Sequence, residues 1–179
     1  MKRPDHTMTC QCCGRRIKAR TGNIAHHGYE RPGDGWQTAS CMGARALPFE
    51  VSRDRLGDLL AALHDQHERA AKHRAAVAAE TVPTIFTIRD RTRRDRMGRP
   101  ESLPLEVTRA NFDSLQAAYA QEFRTYGAFD FDTIKERALQ NIDRKVTRIS
   151  DALREAQSRF DGWRQTHQWD PVKHAFVER

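Results

Sequence analysis

The sequence has little of the material that a thick globular core requires. It contains three Trp and three Tyr in 179 residues, 38% of its residues are hydrophobic and 31% are charged. Such a composition leaves much of a helical surface exposed to water. No stretch approaches the ~20 apolar residues that cross a bilayer. The opening segment MKRPDHTMTC lacks the apolar run of a signal peptide. We therefore expect a cytoplasmic protein.

Cysteine is also scarce, and all four cysteines lie between positions 10 and 41. Thiols stay reduced in the cytosol, where clustered cysteines favour metal binding over disulfide formation. Cys10 and Cys13 form a C-x-x-C pair, and Gly14 suits the turn that follows such a pair. Cys12 is adjacent to Cys13 and would strain the pair if it replaced Cys10. We expect it to be a free thiol or to lie beside the site.

A structural Zn²⁺ ion takes four tetrahedral nitrogen and sulfur ligands. One of two adjacent histidines and the last cysteine would complete the set that the C-x-x-C pair begins. The predicted ligands are Cys10, Cys13, His27 and Cys41, with His26 as the alternative to His27. The sequence therefore predicts a structural Zn²⁺ site and leaves open which histidine binds.

Positive charge is concentrated in two places. The chain carries 31 Lys and Arg against 24 Asp and Glu, a net charge of +7. Residues 1–55 contribute ten basic and five acidic side chains, and residues 89–99 contribute six and two. The predicted contact residues are Arg15, Arg16, Lys18, Arg20, Arg89, Arg91, Arg93, Arg94, Arg96 and Arg99. Arginine binds phosphate in a bidentate way, which favours a nucleic-acid backbone, although each patch alone also fits a solvated surface.

The predicted fold class is mainly α with a small zinc-knuckle module at the N-terminus. Residues 1–51 are rich in Gly and Pro and lack a helical period. Two long helices are predicted over 52–80 and 132–168, with an insertion over 81–131 between them. Residues 169–179 form a C-terminal tail. The predicted protein is therefore a zinc module followed by a helical arm, which consists of the two long helices.

Both long helices carry apolar residues at alternating steps of three and four, which is the heptad period of a coiled coil. The first seam is Leu56, Leu59, Leu63, Gln66, Ala70, His73 and Val77. The second seam is Leu139, Ile142, Val146, Ile149, Leu153, Ala156, Phe160 and Trp163. These seams predict a long antiparallel helical hairpin or coiled coil within the chain. A homodimer through the second helix is the alternative.

The insertion contains two short strand candidates, TIFTI and LPLEVT, on either side of the basic loop RDRTRRDRMGRPES. We expect them to pair as a short β-hairpin with the arginines at its tip. A short helix follows and ends at Gly127. Its apolar face is Phe112, Leu115, Ala118, Tyr119 and Phe123.

Residues 10–52 resemble a group of small zinc-knuckle proteins of tailed phages and prophages. The resemblance is carried by the C-x-x-C-G-R start and by IAHHGY, RPG and TASCMGAR. It covers roughly the first 52 residues. It implies a phage-associated zinc module in the cytoplasm of an infected or lysogenic bacterium, and it implies no particular activity.

The C-x-x-C pair and the adjacent histidines are also similar to HNH nucleases. That resemblance implies that one of His26 and His27 binds a catalytic metal and the other activates water. No Asn lies between His27 and Cys41, no second C-x-x-C follows, and no His occurs in the next twenty residues. Too few ligands remain for a second metal, so we expect no enzymatic activity and keep the nuclease as the minor alternative.

Two functions fit these features. The first is a zinc-binding, non-enzymatic protein that contacts the phosphate backbone of nucleic acid through its arginines. The second is a protein-interaction module or inhibitor that docks on a host or phage protein through its helical arm. Sequence alone does not distinguish DNA from RNA or from a protein partner.

Overall fold

The protein is described here from a computed structural model, which covers residues 7–30, 37–94 and 96–179. In chain order the elements are β1 (Thr7–Thr9), β2 (Arg16–Lys18), β3 (Gly28–Glu30), β4 (Gln37–Ser40), α1 (Asp54–Ala78), β5 (Thr84–Arg94), β6 (Pro100–Val107), α2 (Phe112–Ala118), α3 (Ala120–Thr125), α4 (Phe131–Asp161), β7 (His167–Asp170) and β8 (Ala175–Glu178). The strands form four separate antiparallel hairpins, each made of neighbours in the chain.

The chain divides into two compact units. The first unit comprises Met1–His67 and Arg148–Arg179, and the second comprises Glu68–Thr147. Helices α1 and α4 are each divided between the two units, α1 after His67 and α4 after Thr147. Within the described ranges, no helix is long and apolar enough to span a membrane.

The core of the first unit is small and contains cysteine. Its buried members are Met8, Cys10, Cys12, Ala19, Ile24 and Cys41, with Leu59 and Phe176 packed against them. Three of these six buried side chains are thiols, which give little apolar surface to bury. This cluster therefore buries little apolar surface, although Leu56, Leu60 and Leu63 of α1 are also buried in the same unit.

The turn of residues 10–14, called the knuckle below, is hydrogen-bonded to the start of α1. The side chain of Gln11 is almost completely buried, and its Nε2 donates to the carbonyl of Leu47 at 2.8 Å. Its Oε1 accepts from the backbone N–H groups of Arg55 at 2.8 Å and Leu56 at 3.3 Å. The hydroxyl of Ser52 accepts a third bond from this first turn. Because the first N–H groups of a helix lack partners within it, these bonds fix where α1 begins.

The C-terminal residues form a hairpin rather than the expected tail. The helix predicted over 132–168 ends at Asp161, where Gly162 follows, and β7 pairs with β8. The guanidinium of Arg53 donates to the carbonyl of Phe160, in the last turn of α4. It also lies 4.1 Å from the centre of the Phe160 ring. Glycine and a cation at the last carbonyls both favour termination of a helix.

The second unit is built on the predicted β5–β6 hairpin. TIFTI and LPLEVT pair as expected, with Phe86 opposite Leu105 and Ile88 opposite Leu103. The buried core comprises Ile88, Leu105, Val107, Phe112, Phe123, Ala128, Phe131 and Ile134. The single helix expected up to Gly127 is divided into α2 and α3 at Tyr119. Phe123 still packs edge-on against Phe86, with ring centres 5.0 Å apart.

The two long helices are present, but the fold is partly helical rather than mainly α, because four hairpins occupy much of the remaining chain. All eight residues of the second predicted seam are buried or half-buried, although Trp163 lies beyond the end of α4, whereas Gln66 and His73 of α1 are exposed. In the second unit the helices run antiparallel, since Arg74 pairs with Asp143 and the residue Glu80 after α1 pairs with Lys135. Continuous coiled-coil packing is not confirmed.

A network of ion pairs surrounds Glu80, which follows the end of α1 in the second unit. Glu80 has a left-handed backbone conformation with φ of 57°, a position that glycine usually occupies after a helix. Its carboxylate accepts two bonds from Arg109 and one from Lys135, and Arg109 also pairs with Asp132 at the start of α4. These ion pairs link the end of α1 to the start of α4.

Candidate metal centre and basic surface

Two hairpins bring the four predicted ligands together. Cys10 and Cys13 lie in the turn between β1 and β2, where the N–H of Cys10 donates to Arg15 and that of Gly14 donates to Cys10. His27 precedes β3 and Cys41 follows β4, and the N–H of Cys41 donates to the carbonyl of His27 at 3.0 Å. The open end of one hairpin therefore faces the turn of the other.

The ligand atoms lie close enough together to hold one metal ion. The sulfur and nitrogen atoms of Cys10, Cys13, His27 and Cys41 all lie within 4.8 Å of one another. The sulfurs of Cys10 and Cys41 are 3.7 Å apart, and Sγ of Cys13 is 3.4 Å from Nε2 of His27. Tetrahedral bonds to zinc of ordinary length would separate two sulfurs by about 3.8 Å and a sulfur from a nitrogen by about 3.5 Å. The four side chains could hold a metal ion, and none forms a disulfide.

The structure distinguishes the two histidines. Nδ1 of His27 lies 2.9 Å from the carbonyl oxygen of Ala25, which can only accept a hydrogen bond. Nδ1 therefore carries the proton, and Nε2 presents its lone pair to the cysteines. A backbone carbonyl on the second nitrogen is the usual way of orienting a metal-binding imidazole. His26 instead bonds Ser40 through Nε2 at 2.7 Å, so His27 is the ligand candidate.

Crowding of the thiols favours their protonated form while no cation is bound. A hydrogen bond with Cys41 and burial raise the pKa of Cys10 to about 12, although the N–H groups of Cys13 and Cys12 act in the opposite direction. The bond with Cys10 lowers the pKa of Cys41, but Cys12 and burial outweigh it and raise that pKa to about 11. A cation that binds these sulfurs would displace their protons.

Gly43 leaves the space that the sulfur of Cys10 occupies. A Cβ on residue 43 would overlap this sulfur and would approach Sγ of Cys12 to 3.4 Å. Gly43 lies two residues after Cys41, and its N–H bonds the Cys41 sulfur. Gly14 follows Cys13 in the C-x-x-C pair and is visible in the sequence as a turn residue, whereas the position of Gly43 two residues after Cys41 is a weaker signal of the same kind.

Two arginines hold the knuckle from outside. Arg15 donates from Nε to the sulfur of Cys13 at 3.4 Å and from Nη2 to the carbonyl of Gly28. Arg159 of α4 donates to the carbonyls of Cys10, Gln11 and Cys12. Positive charge next to a cysteine-rich site offsets the negative charge of its thiolates. Arg159 lies far away in sequence, where no local motif could reveal it.

Cys12 lies beside the cluster without belonging to it. Its thiol is buried and lies 3.5 Å from the carbonyl of Arg55 in α1. The position agrees with the prediction of a free thiol next to the site. Within the described part of the chain, the four predicted ligands form the one group of three or more His, Cys, Asp or Glu placed to hold a metal.

The four residues of the first basic patch fall into two pairs with different surroundings. Arg15 contacts the knuckle, and Arg16 donates to the carbonyl of Thr7 at 2.7 Å, so both guanidinium groups bond within the chain. Lys18 and Arg20 line a shallow pocket of about 460 Å³ together with Arg45. Arg45 belongs to neither predicted basic patch, because its neighbours in the sequence are uncharged.

The second basic patch lies at the distal part of the β5–β6 hairpin. The arginines there whose side chains the structure describes are exposed, and they are Arg89, Arg94, Arg96 and Arg99. The side chains of Arg91 and Arg93 lie outside the described part. Ile88 and Leu105 pack into the core on the other part of the same hairpin. The hairpin therefore has an apolar base and a basic end.

Comparison with known proteins gave no match to this chain among protein-family models, curated proteins or solved structures.

Proposed function

We propose that Cys10, Cys13, His27 and Cys41 bind one structural Zn²⁺ ion. Three thiols and one imidazole form a closed donor set that suits zinc and leaves no coordination position for substrate. The sulfur and nitrogen separations of 3.7 and 3.4 Å support this assignment. Bound zinc would join the two N-terminal hairpins and supply the restraint that their small core needs.

We further propose that the protein binds nucleic acid, mainly through phosphate. The observation that carries this proposal is the basic end of the β5–β6 hairpin, where exposed arginines extend beyond an apolar base. A two-stranded ribbon is narrow enough to approach a phosphate backbone or a groove. The basic residues beside the metal centre provide a second contact region, and the net charge of +7 attracts a polyanion.

A protein-docking function is the second candidate, and one observation favours it. Phe129 is 68% exposed and Tyr126 is 37% exposed in the connection between α3 and α4. Two aromatic side chains exposed close together in sequence are typical of interaction surfaces. The partner surface would then be this connection rather than the helical arm.

Salt dependence distinguishes these functions. Fluorescence anisotropy of labelled DNA and RNA, measured with the zinc-loaded full chain, tests the first one. Binding that neutralises several phosphates weakens by orders of magnitude between about 50 and 200 mM salt, whereas apolar docking responds little. Absence of binding to either nucleic acid at low salt would refute the first function.

A pair of double variants locates the contact. Arg94→Gln with Arg96→Gln should weaken binding and reduce its salt dependence. Arg144→Gln with Lys145→Gln removes the same charge from an exposed part of α4 and should have a much smaller effect. Equal losses in both double variants would indicate nonspecific attraction by net charge.

A further inference from the structure

A basic pocket lies beside the metal centre in the first unit. Lys18 at the end of β2, Arg20 in the following turn, and Arg45 after Cys41 all line it. Asn23 and His26 contribute polar groups to the same walls. None of the described lining residues is acidic. Three cations around one concave surface create a local potential that attracts an anion.

Main-chain hydrogen bonds connect the segments that carry these cations. The N–H of Ala25 donates to the carbonyl of Lys18 at 2.7 Å, and the N–H of Ile24 donates to Ala46 at 2.8 Å. The N–H of Arg45 in turn donates to Ile24 at 2.8 Å. The three segments that carry the cations are therefore tied together by main-chain bonds. The main-chain positions of the three cations are therefore fixed relative to one another, while their side chains are exposed to solvent.

Arg45 has an unusual backbone conformation. Its φ is 65°, in the left-handed region that a residue with a side chain rarely adopts. Residues with such backbone strain cluster at ligand-binding sites, where the surrounding structure holds them in place. The backbone bond to Ile24 holds Arg45 in this conformation beside the pocket.

The pocket is larger than a phosphate ion requires. Its volume of about 460 Å³ is within the range of small-molecule sites, which runs from about 300 to 1,000 Å³. A nucleotide in a duplex keeps its base stacked inside and presents little more than phosphate. An unpaired nucleotide can place its sugar and base in a pocket as well.

We propose that this pocket binds the phosphate of an unpaired nucleotide, with Lys18, Arg20 and Arg45 as its cationic contacts. The inference rests on the proposed nucleic-acid binding and specifies its substrate as a single strand or a frayed end. Asn23 and His26, whose Nε2 bonds Ser40 and whose Nδ1 remains, supply polar groups in the pocket wall for the sugar or base edge. His26, which is not needed as a metal ligand, would then contact the nucleotide.

The test compares a labelled single strand with a duplex of the same sequence. Arg45→Gln and Lys18→Gln are measured in the zinc-loaded full chain, with Arg148→Gln as a control that removes one exposed charge from α4. Loss of one charge-assisted contact should weaken single-strand binding about tenfold. It should also reduce the slope of log affinity against log salt by about 0.7. Arg148→Gln should leave both quantities nearly unchanged.

A competition experiment tests the nature of the ligand. A nucleoside monophosphate should displace the single strand at a lower concentration than inorganic phosphate does, since it also fills the sugar and base space. Inorganic phosphate of equal potency would overturn the nucleotide assignment. Zinc content and the midpoint of urea unfolding identify any variant that has lost its fold, and Lys18→Gln then provides the second measurement.

The remaining outcomes separate this inference from the function on which it rests. If Arg45→Gln and Lys18→Gln bind normally while Arg94→Gln with Arg96→Gln fails, the pocket is refuted and nucleic-acid binding stands. If the pocket variants weaken duplex and single strand equally, the preference for unpaired nucleotides is refuted. If the unaltered protein binds neither nucleic acid at low salt, both proposals are refuted.

Discussion

Gly43 and Cys10 are packed so closely that no Cβ fits between them. A Cβ at residue 43 would overlap the sulfur of Cys10. We expect Gly43→Ala to displace that sulfur and weaken zinc binding roughly 10- to 100-fold, the effect usual for residues that support metal ligands. Competition with a chromophoric chelator measures the affinity.

Gly57→Ala is the matched control for this substitution. A Cβ at residue 57 in α1 would lie 3.4 Å from the ring of Phe160, which is an ordinary contact. Alanine also favours a helix over glycine. Zinc affinity should therefore remain unchanged in Gly57→Ala, and an equal loss in both variants would contradict the role assigned to Gly43.

Gln11→Ala tests the joint between the knuckle and α1. The substitution leaves the N–H groups of Arg55 and Leu56 and the carbonyl of Leu47 without their partner. We expect the free energy of unfolding to fall by about 1–3 kcal/mol. The control is Gln157→Ala, since Gln157 is exposed and donates to Asp161 within the same helix. Urea unfolding of both variants measures the difference, and equal values would contradict the capping role of Gln11.

Trp169→Ala tests whether the C-terminal hairpin belongs to the first unit. A Cβ at Gly22 would lie 3.1 Å from the ring of Trp169, and that ring also packs on Phe176 at 4.9 Å between centres. Removal of the indole should lower the free energy of unfolding by roughly 1–3 kcal/mol. Val172→Ala, in the exposed turn of the same hairpin, should change it by less than about 0.5 kcal/mol. No difference between these variants would indicate that the hairpin does not pack as described.

The Glu80 network predicts a dependence on pH. Hydrogen bonds from Arg109 and Lys135 lower the pKa of Glu80 from 4.5 to about 2. A carboxylate whose pKa is lower in the folded state stabilises that state fully above its unfolded pKa, and the contribution disappears as pH falls through the folded value. Glu80→Gln should therefore be less stable than the unaltered protein at neutral pH. The difference should shrink between pH 4.5 and about 2.

Comparison with a variant isolates this effect from acid release of any bound metal, because such release would affect both proteins equally. Urea unfolding across the pH range supplies the free energies. Glu155→Gln, at an exposed position of α4, controls for the loss of one negative charge. A difference that stays constant between neutral and acidic pH would contradict the assignment to Glu80.

Local patterns predicted much of the fold. Heptad spacing located α1 and α4 because each buries one face, and β-branched runs between turn residues located β5 and β6. The C-terminal hairpin was missed because its strands are short and depend on distant partners. One such partner is Glu50, whose carbonyl accepts from the N–H groups of Thr166 and His167. Coiled-coil packing, a homodimer and the phage resemblance stay predictions.

The ligand set could be predicted because zinc chemistry limits the choice of residues and their spacing. The choice between His26 and His27 could not, since it depends on the carbonyl of Ala25 that orients one ring. Arg159, which donates to the carbonyls around the C-x-x-C pair, and Arg45, which lines the basic pocket, could not be predicted either, because their contacts form only in the folded chain. Tertiary contacts of this kind leave no periodic signal in the sequence.

Metal analysis of the freshly purified, reduced protein tests the central claim most directly. We predict about one zinc per chain in the unaltered protein and in His26→Ala, and much less in His27→Ala, because three thiolates and one imidazole complete the site. An unaltered protein without zinc would contradict the account. Loss of zinc in His26→Ala with retention in His27→Ala would contradict it equally.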